Sequence, residues 1–175
     1  RRIFSSFFSW LSDEEIITRN PAKRLKDVKT IEKVDRSFSE QQLESLRYNC
    51  SNIRDRALIE FLNATGCRVS EVVGLNIEDI HFDSNEAIVL GKGSKERQVY
   101  FTDTAKMYLQ KYLETRVSDK GPLFTSRKNQ FQRIHDKGIQ AIIRNLGAQS
   151  NVTKATPHRF RHTLTTRLIN RGANM

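Results

Sequence analysis

Cysteine is scarce in this chain: Cys50 and Cys67 are the only two in 175 residues. Their separation is neither that of a redox pair nor that of a metal knuckle. Both are expected to be buried thiols of a protein kept in a reducing compartment. Long apolar runs are missing too. No stretch reaches the length that crosses a bilayer, so no membrane association is expected. The opening RRIFSSFFSWLSDEE has basic and apolar parts, but serines and acids interrupt it. It lacks the apolar core and small-residue cleavage site of a secretory leader. Internal repeats and low-complexity tracts are absent. The acidic residues do not cluster as a two-metal hydrolytic site requires. His81, His135, His158 and His162 make no zinc-ligand pattern. Neither a metal nor another cofactor is expected.

What the chain does have is charge of one sign. It carries 30 Lys and Arg against 20 Asp and Glu, a net charge of +10. That balance favours a polyanionic partner, nucleic acid first. With 37% apolar residues the chain has enough for a core and too many for a disordered tail.

The apolar spacing predicts mostly helices. Ile3, Phe4, Phe7, Phe8, Trp10 and Leu11 recur at helical intervals in the first stretch. Asn20-Pro21 is read as its break, and the charged run after it as a linker ending near residue 37. Ser39 and Gln42 form a capping-box pattern at the head of the next helix. Ile53, Ala57, Leu58, Phe61 and Leu62 mark another helix, with Gly66 as its stop. CRVSEVVGL reads as a short helix capped near Arg68 to Ser70. NEAIVLGKGSKERQVYF reads as a β-hairpin. TDTAKMYLQKYLETR follows as a helix with Ala105, Tyr108, Leu109 and Tyr112 as its stripe. GPLFTS is a short extended piece, and FQRIHDKGIQAIIRNLGA a helix stopped by Gly147. Thr156 as cap and Pro157 at the first position open a last helix running to about Arg171. The fold class expected is therefore mainly α with a small antiparallel β-sheet.

Three stretches carry chemistry. In TPHRFRHTLTTRLINRGANM, His158 and Arg161 are three apart and share a helix face. They lie in the first two turns, where unpaired N–H groups and the helix dipole favour an anion. Arg161 offers a fork for two phosphate oxygens, and His158 exchanges a proton near neutral pH. The plain alternative is a basic helix touching DNA backbone. In ATGCRVSEVVGL, Arg68 precedes Glu71 by three, which allows the acid to orient it; a purely structural pair is the alternative. In LGKGSKERQV, Lys92 sits between two glycines at the hairpin tip, with Lys95 and Arg97 adding charge; a basic turn guarding an edge strand is the alternative. Together the three supply a metal-free set for phosphoryl transfer. Two arginines stabilise charge growing on the non-bridging oxygens, and a histidine and a lysine move protons.

These three stretches, in this order, resemble the tyrosine recombinase (phage integrase) family, particularly its Xer-type and transposon integrase members. The likeness covers roughly residues 38–175 and implies that family's catalytic-domain fold. FFSWL…NP resembles the tail of the family's core-binding domain. The organisation implied is residues 1–20 as the C-terminal helix of a SAM-like core-binding domain, 21–37 as linker and 38–175 as catalytic domain. The resemblance implies that Arg68 is the first catalytic arginine, with Glu71 as supporting acid. Lys92 is then the hairpin lysine that protonates the leaving 5′ oxygen, ahead of Lys95 as candidate. His158 and Arg161 match the His-x-x-Arg pair, and His162 the supporting histidine that follows. Lys95, Arg97 and Arg159 are expected to contact DNA.

Family members cut DNA with a tyrosine that becomes linked to the 3′ phosphate, then reseal the break without metal or ATP. That tyrosine follows the His-x-x-Arg helix, whereas Tyr48, Tyr100, Tyr108 and Tyr112 all precede it. No nucleophile is therefore expected in this chain, which is read as truncated before it and inactive alone. The implied parent is a cytoplasmic, nucleoid-associated recombinase that integrates or excises mobile DNA, assembling as a tetramer on double-stranded DNA. Two rivals remain: a non-catalytic DNA-binding module, and a type IB topoisomerase with similar chemistry. The spacing of GKGSKER and PHRFRH argues against the latter.

Overall fold

A computed structural model of the protein describes residues 2–24, 37–91, 93, 95–127 and 132–173. The chain divides into two compact units, 1–34 and 35–175. The first contains helix α1 (Arg2–Asp13). Ile3, Phe4, Phe7 and Trp10 are exposed on it. It ends before the Asn20-Pro21 break expected from the sequence, since Glu15 takes a left-handed φ of 57°. Residues 21–24, expected to begin a linker, instead form a 3-10 turn against α1. Asn20 builds that turn: its Oδ1 accepts the Ala22 N–H at 2.9 Å, and its Nδ2 donates to Ser9 Oγ at 3.2 Å. The rest of the linker expected at 21–37 lies outside the described residues, apart from Ser37.

The second unit is mostly helical with one three-stranded sheet, in the order α2 (Glu40–Tyr48), α3 (Ile53–Thr65), α4 (Val69–Gly74), β1 (Ile80–His81), β2 (Glu86–Leu90), β3 (Glu96–Tyr100), α5 (Asp103–Glu114), α6 (Asp136–Gln149) and α7 (Pro157–Asn170). The Ser39–Gln42 capping box forms as expected. Asn52 and Thr102 cap α3 and α5 through their side chains, satisfying N–H groups that would otherwise be orphaned at the helix start.

Helix α3 is the centre of the unit. Leu58, Phe61 and Leu62 are fully enclosed, because α5 and α7 both pack along it. Its one deeply buried acid, Glu60, is held by two arginines. Arg47 Nε and Nη2 and Arg56 Nε each donate to its carboxylate at 2.9 Å. Charge that deep persists only when it is paired this fully. Phe124 stacks on Tyr112 with centroids 5.7 Å apart, and Phe160 packs on Phe38 at 4.8 Å.

The sheet is antiparallel throughout. Ala87 lies opposite both Ile80 and Val99, and Val89 opposite Arg97. Ala87, Val89 and Val99 turn inward while their neighbours face out, the alternation of a strand with one buried face; β2 and β3 form the expected hairpin. The short β1 was not expected.

Two expectations about α6 are corrected. The helix begins at Asp136, not near Phe131, because the segment before it is extended. Ser126 N–H donates to Gln132 O at 2.7 Å and Ile134 N–H to Phe124 O at 3.1 Å. Gly147 does not stop the helix but lies within it. A Cβ there would sit 2.5 Å from Ala155 Cβ and 2.9 Å from Val152 O, so this glycine lets the following loop approach closely. Helix α7 opens with Pro157 in its first turn, as expected. Thr156 occupies the cap position but its side chain makes no capping bond.

Candidate active site

Arg68 stands at the N-cap of α4 because Gly66 has just ended α3. Gly66 takes a φ of 58°, open to glycine at little cost. The chain then turns into a new helix within three residues. Glu71, buried with 3% of its surface exposed, reaches back to that turn. Its Oε2 accepts the Arg68 backbone N–H at 2.8 Å and its Oε1 accepts Arg68 Nη1 at 3.0 Å. The Arg68 side chain remains 57% exposed. The acid therefore fixes one edge of the guanidinium and leaves the rest facing solvent.

A third donor completes Glu71. Arg97 Nη2, from β3, reaches its Oε2 at 2.8 Å. Burial alone would push this carboxyl up. The Arg68 N–H, then Arg97, then the Arg68 side chain outweigh burial and hold it below its ordinary value. It is an anion shared by two arginines.

Arg161 comes to the same place from α7. Its Nη1 donates to the Gly66 carbonyl oxygen at 3.0 Å, two residues before Arg68. The helices fit closely there: a Cβ on Gly66 would lie 3.0 Å from Leu164 Cδ2 and 3.6 Å from Arg161 Cα. Cys67, between Gly66 and Arg68, is 1% exposed. Burial pushes its thiol up, against the pull of Arg97 and Arg161.

His158 is exposed one turn before Arg161. His162 is half-buried and packs edge-on against it, with ring centroids 4.4 Å apart. His162, expected as a supporting histidine, thus touches His158. Lys92 lies outside the described residues. The hairpin that carries it is closed by Gly91 N–H donating to Lys95 O at 2.8 Å, and Lys95 is exposed.

Of the three residues expected to contact DNA, two are engaged within the protein. Arg97 is bound to Glu71. Arg159 lies over the Phe38 ring at 4.3 Å from its centroid, and donates to Thr153 O, Ser37 O and Gln42 Oε1 at 2.8, 3.1 and 2.8 Å. It ties α7 to the start of α2. Apart from Thr153, six positions away, these partners lie 26 to 122 positions off, and sequence reading missed them for that reason. It also missed Arg133, which donates to Val73 O, Leu75 O and Asn76 Oδ1 at 2.5 to 2.8 Å and caps α4 from behind.

The four tyrosines fall where the sequence put them or further out. Tyr112 is buried and bonded to Thr125 at 3.1 Å. Tyr108 is half-buried under Arg56, 4.5 Å from its ring centroid. Tyr48 and Tyr100 are exposed. Cys67 is buried as expected, and Cys50 is half-buried. Among the described residues no group of three or more His, Cys, Asp or Glu is placed to hold a metal ion. No described helix is long and apolar enough to cross a membrane. A cleft of about 580 Å³ opens elsewhere, between the start of α3 and α6, lined by Arg54, Ile134, His135 and Ile142 among others. None of the described candidate residues lines it; Arg68, Lys95 and His158 are exposed to solvent instead.

Residues 36–175 match the phage integrase family. The chain is 34% identical over 182 residues to tyrosine recombinase XerD of Oceanobacillus iheyensis, covering 97% of this chain and 61% of that one. It is 35% identical over 181 residues to tyrosine recombinase XerC of Leptospira interrogans, covering 97% and 58%. The chain thus spans about 60% of the length of these curated relatives. Among solved structures, XerA recombinase shares the fold with a TM-score of 0.72 at 25% identity, over 93% of this chain and 58% of its own. The Tn1549 transposon integrase, solved in complex with transposon right end DNA, shares it with a TM-score of 0.78 at 21% identity, over 97% and 65%. The family match takes in all three stretches that carry the candidate residues, and the chain belongs to the phage integrase family.

Proposed function

We propose that the full-length protein is a site-specific recombinase that cuts and rejoins double-stranded DNA through a 3′-phosphotyrosine bond. One observation carries this reading: Arg161 is anchored on the carbonyl of Gly66, two residues from Arg68. Two guanidinium-bearing elements far apart in sequence are thereby tied to one turn. An open cationic surface also suits a duplex better than a closed pocket would.

In the proposed reaction, Arg68 and Arg161 grip the non-bridging oxygens of one phosphate. They stabilise the charge that builds there as a tyrosine oxygen attacks phosphorus. The 5′ oxygen leaves and takes a proton, which Lys92 supplies. His158 exchanges the proton of the attacking hydroxyl. The energy of the broken phosphodiester is kept in the new phosphotyrosine bond, so resealing requires no further input. None of the four tyrosines of this chain is the nucleophile in this reading. Two are engaged in packing, and the two exposed ones stand in no motif of the sequence. The attacking residue is then supplied by sequence beyond these 175 residues or by a neighbouring subunit. Assembly as a tetramer on DNA, action in the cytoplasm at the nucleoid, and a core-binding role for residues 1–20 belong to the same proposal. The tyrosine recombinases and the transposon integrase that the chain resembles support a role in DNA recombination, mobile elements included.

The test is incubation with a nicked suicide substrate carrying the protein's own recombination site. The full-length protein should form a covalent adduct, and the 175-residue chain should bind DNA weakly and form none. An adduct at Tyr48, Tyr100, Tyr108 or Tyr112 would refute the assignment of the nucleophile. Absence of any adduct with the full-length protein would refute the reaction itself.

A further inference from the structure

The hairpin arginine Arg97 looks from its sequence setting like one more phosphate contact. Its guanidinium is instead turned to Glu71, at 2.8 Å. The same carboxylate accepts both the backbone N–H and the side chain of Arg68. Glu71 is enclosed by the protein, with 2% of its side chain exposed. In register, Arg97 is paired with Val89, one step from the Leu90–Glu96 pair that opens the hairpin turn. The other limb of that turn also approaches the acid: a Cβ on Gly91 would lie 4.0 Å from Glu71 Oε1. Helix α4 packs on β2 alongside. One buried carboxylate is therefore where the hairpin and the arginine-bearing turn are joined.

We propose that Arg97 is a positioning residue for the strand-cleavage reaction rather than a DNA contact. Arg97 holds the Glu71 carboxylate in the orientation that presents Arg68 to the scissile phosphate, and it fixes the base of the β2–β3 turn against α4. The inference rests on the recombinase reading above. Its consequence is a separation of binding from chemistry. A cation that contacts a phosphate contributes about 0.9 to the slope of log affinity against log salt. A cation engaged by an internal carboxylate contributes almost nothing to it.

The experiment compares the full-length protein with its Arg97→Gln and Arg97→Lys variants. Two quantities are measured: DNA affinity across a salt series, and single-turnover adduct formation on the nicked substrate at saturating protein. For Arg97→Gln the expected result is an unchanged salt slope, affinity within about twofold, and adduct formation slower by tenfold or more. Arg97→Lys keeps the charge and one donor, and should recover part of the rate; it also carries the test if Arg97→Gln does not fold. A salt slope smaller by about 0.9, with rate and affinity falling together, would overturn the proposal in favour of a phosphate contact. Unchanged rate and affinity in Arg97→Gln would overturn it as well. A full-length protein that forms no adduct would sink the recombinase reading and the positioning role with it, a result plainly different from the other two.

Discussion

Glu71 concentrates the local electrostatics of the site in one side chain. It is buried, yet three donors hold its carboxyl below the ordinary value. A depressed carboxyl stabilises the fold fully above its unfolded value and loses that contribution as pH falls through its folded one. Glu71→Gln should therefore lower stability by about 3 kcal/mol near neutral pH, the scale of a broken buried pair. The difference from the parent should shrink steadily in acid, in urea titrations from pH 7 down to pH 3. Cys50 makes the opposite prediction about reactivity. Burial pushes its thiol up to about 12, against the pull of Arg56. At pH 8 only about one Cys50 side chain in ten thousand is then a thiolate. Iodoacetamide should label it far more slowly in the native protein than in urea, as read by mass spectrometry. Equal rates would contradict its burial. The Arg68–Glu71 pair was legible in the sequence because an acid three residues past a helix cap can reach back to it. The third partner was not: Arg97 is 26 positions on and reaches Glu71 only once a hairpin has folded beside α4. Arg159 misled for the same reason. Its charge is visible in the sequence, while Phe38 and Gln42, which hold it, stand 117 or more positions away.

Among the elements, the capping box of α2 was readable: Ser39 accepts from the N–H of Gln42, so the signal and its cause lie within one turn of chain. Asn52 and Thr102 cap α3 and α5 in the same way without having been expected to, and Thr156, expected as a cap, makes no such bond. Features set by packing between elements were misread. Gly147 resembles a helix stop, yet it is the point where α6 and the loop at Ala155 come closest. Gly147→Ala should destabilise the protein by about 1–3 kcal/mol through overpacking, although alanine favours an ordinary helix by about 1 kcal/mol. A rise in the urea midpoint would show that the approach is not tight. Two short extended pieces, β1 and Gln132–Ile134, escaped for a related reason. Each is too brief to carry a period of its own and is defined only by the strand or loop it bonds to.

Across the whole molecule, the charge of +10 and the order of the three motif stretches pointed to nucleic acid and to the family that residues 36–175 match. What they did not reveal is the part that α3 plays. At its C-terminal end the Gly66 carbonyl accepts from Arg161 of α7, two residues before Arg68 at the cap of α4. If those two guanidinium groups share one phosphate, their effects on cleavage are coupled. Residues that act as a unit do not add. The most direct measurement is single-turnover adduct formation on the nicked substrate by full-length protein, its Arg68→Ala and Arg161→Ala variants and the double variant, with DNA affinity measured beside it. Each single change should cost about 3–4 kcal/mol of transition-state stabilisation with little change in affinity, and the double change should cost clearly less than the sum. Losses that add in full, or that run in step with lost DNA affinity, would mean that the two arginines serve separate surfaces and hold no phosphate between them.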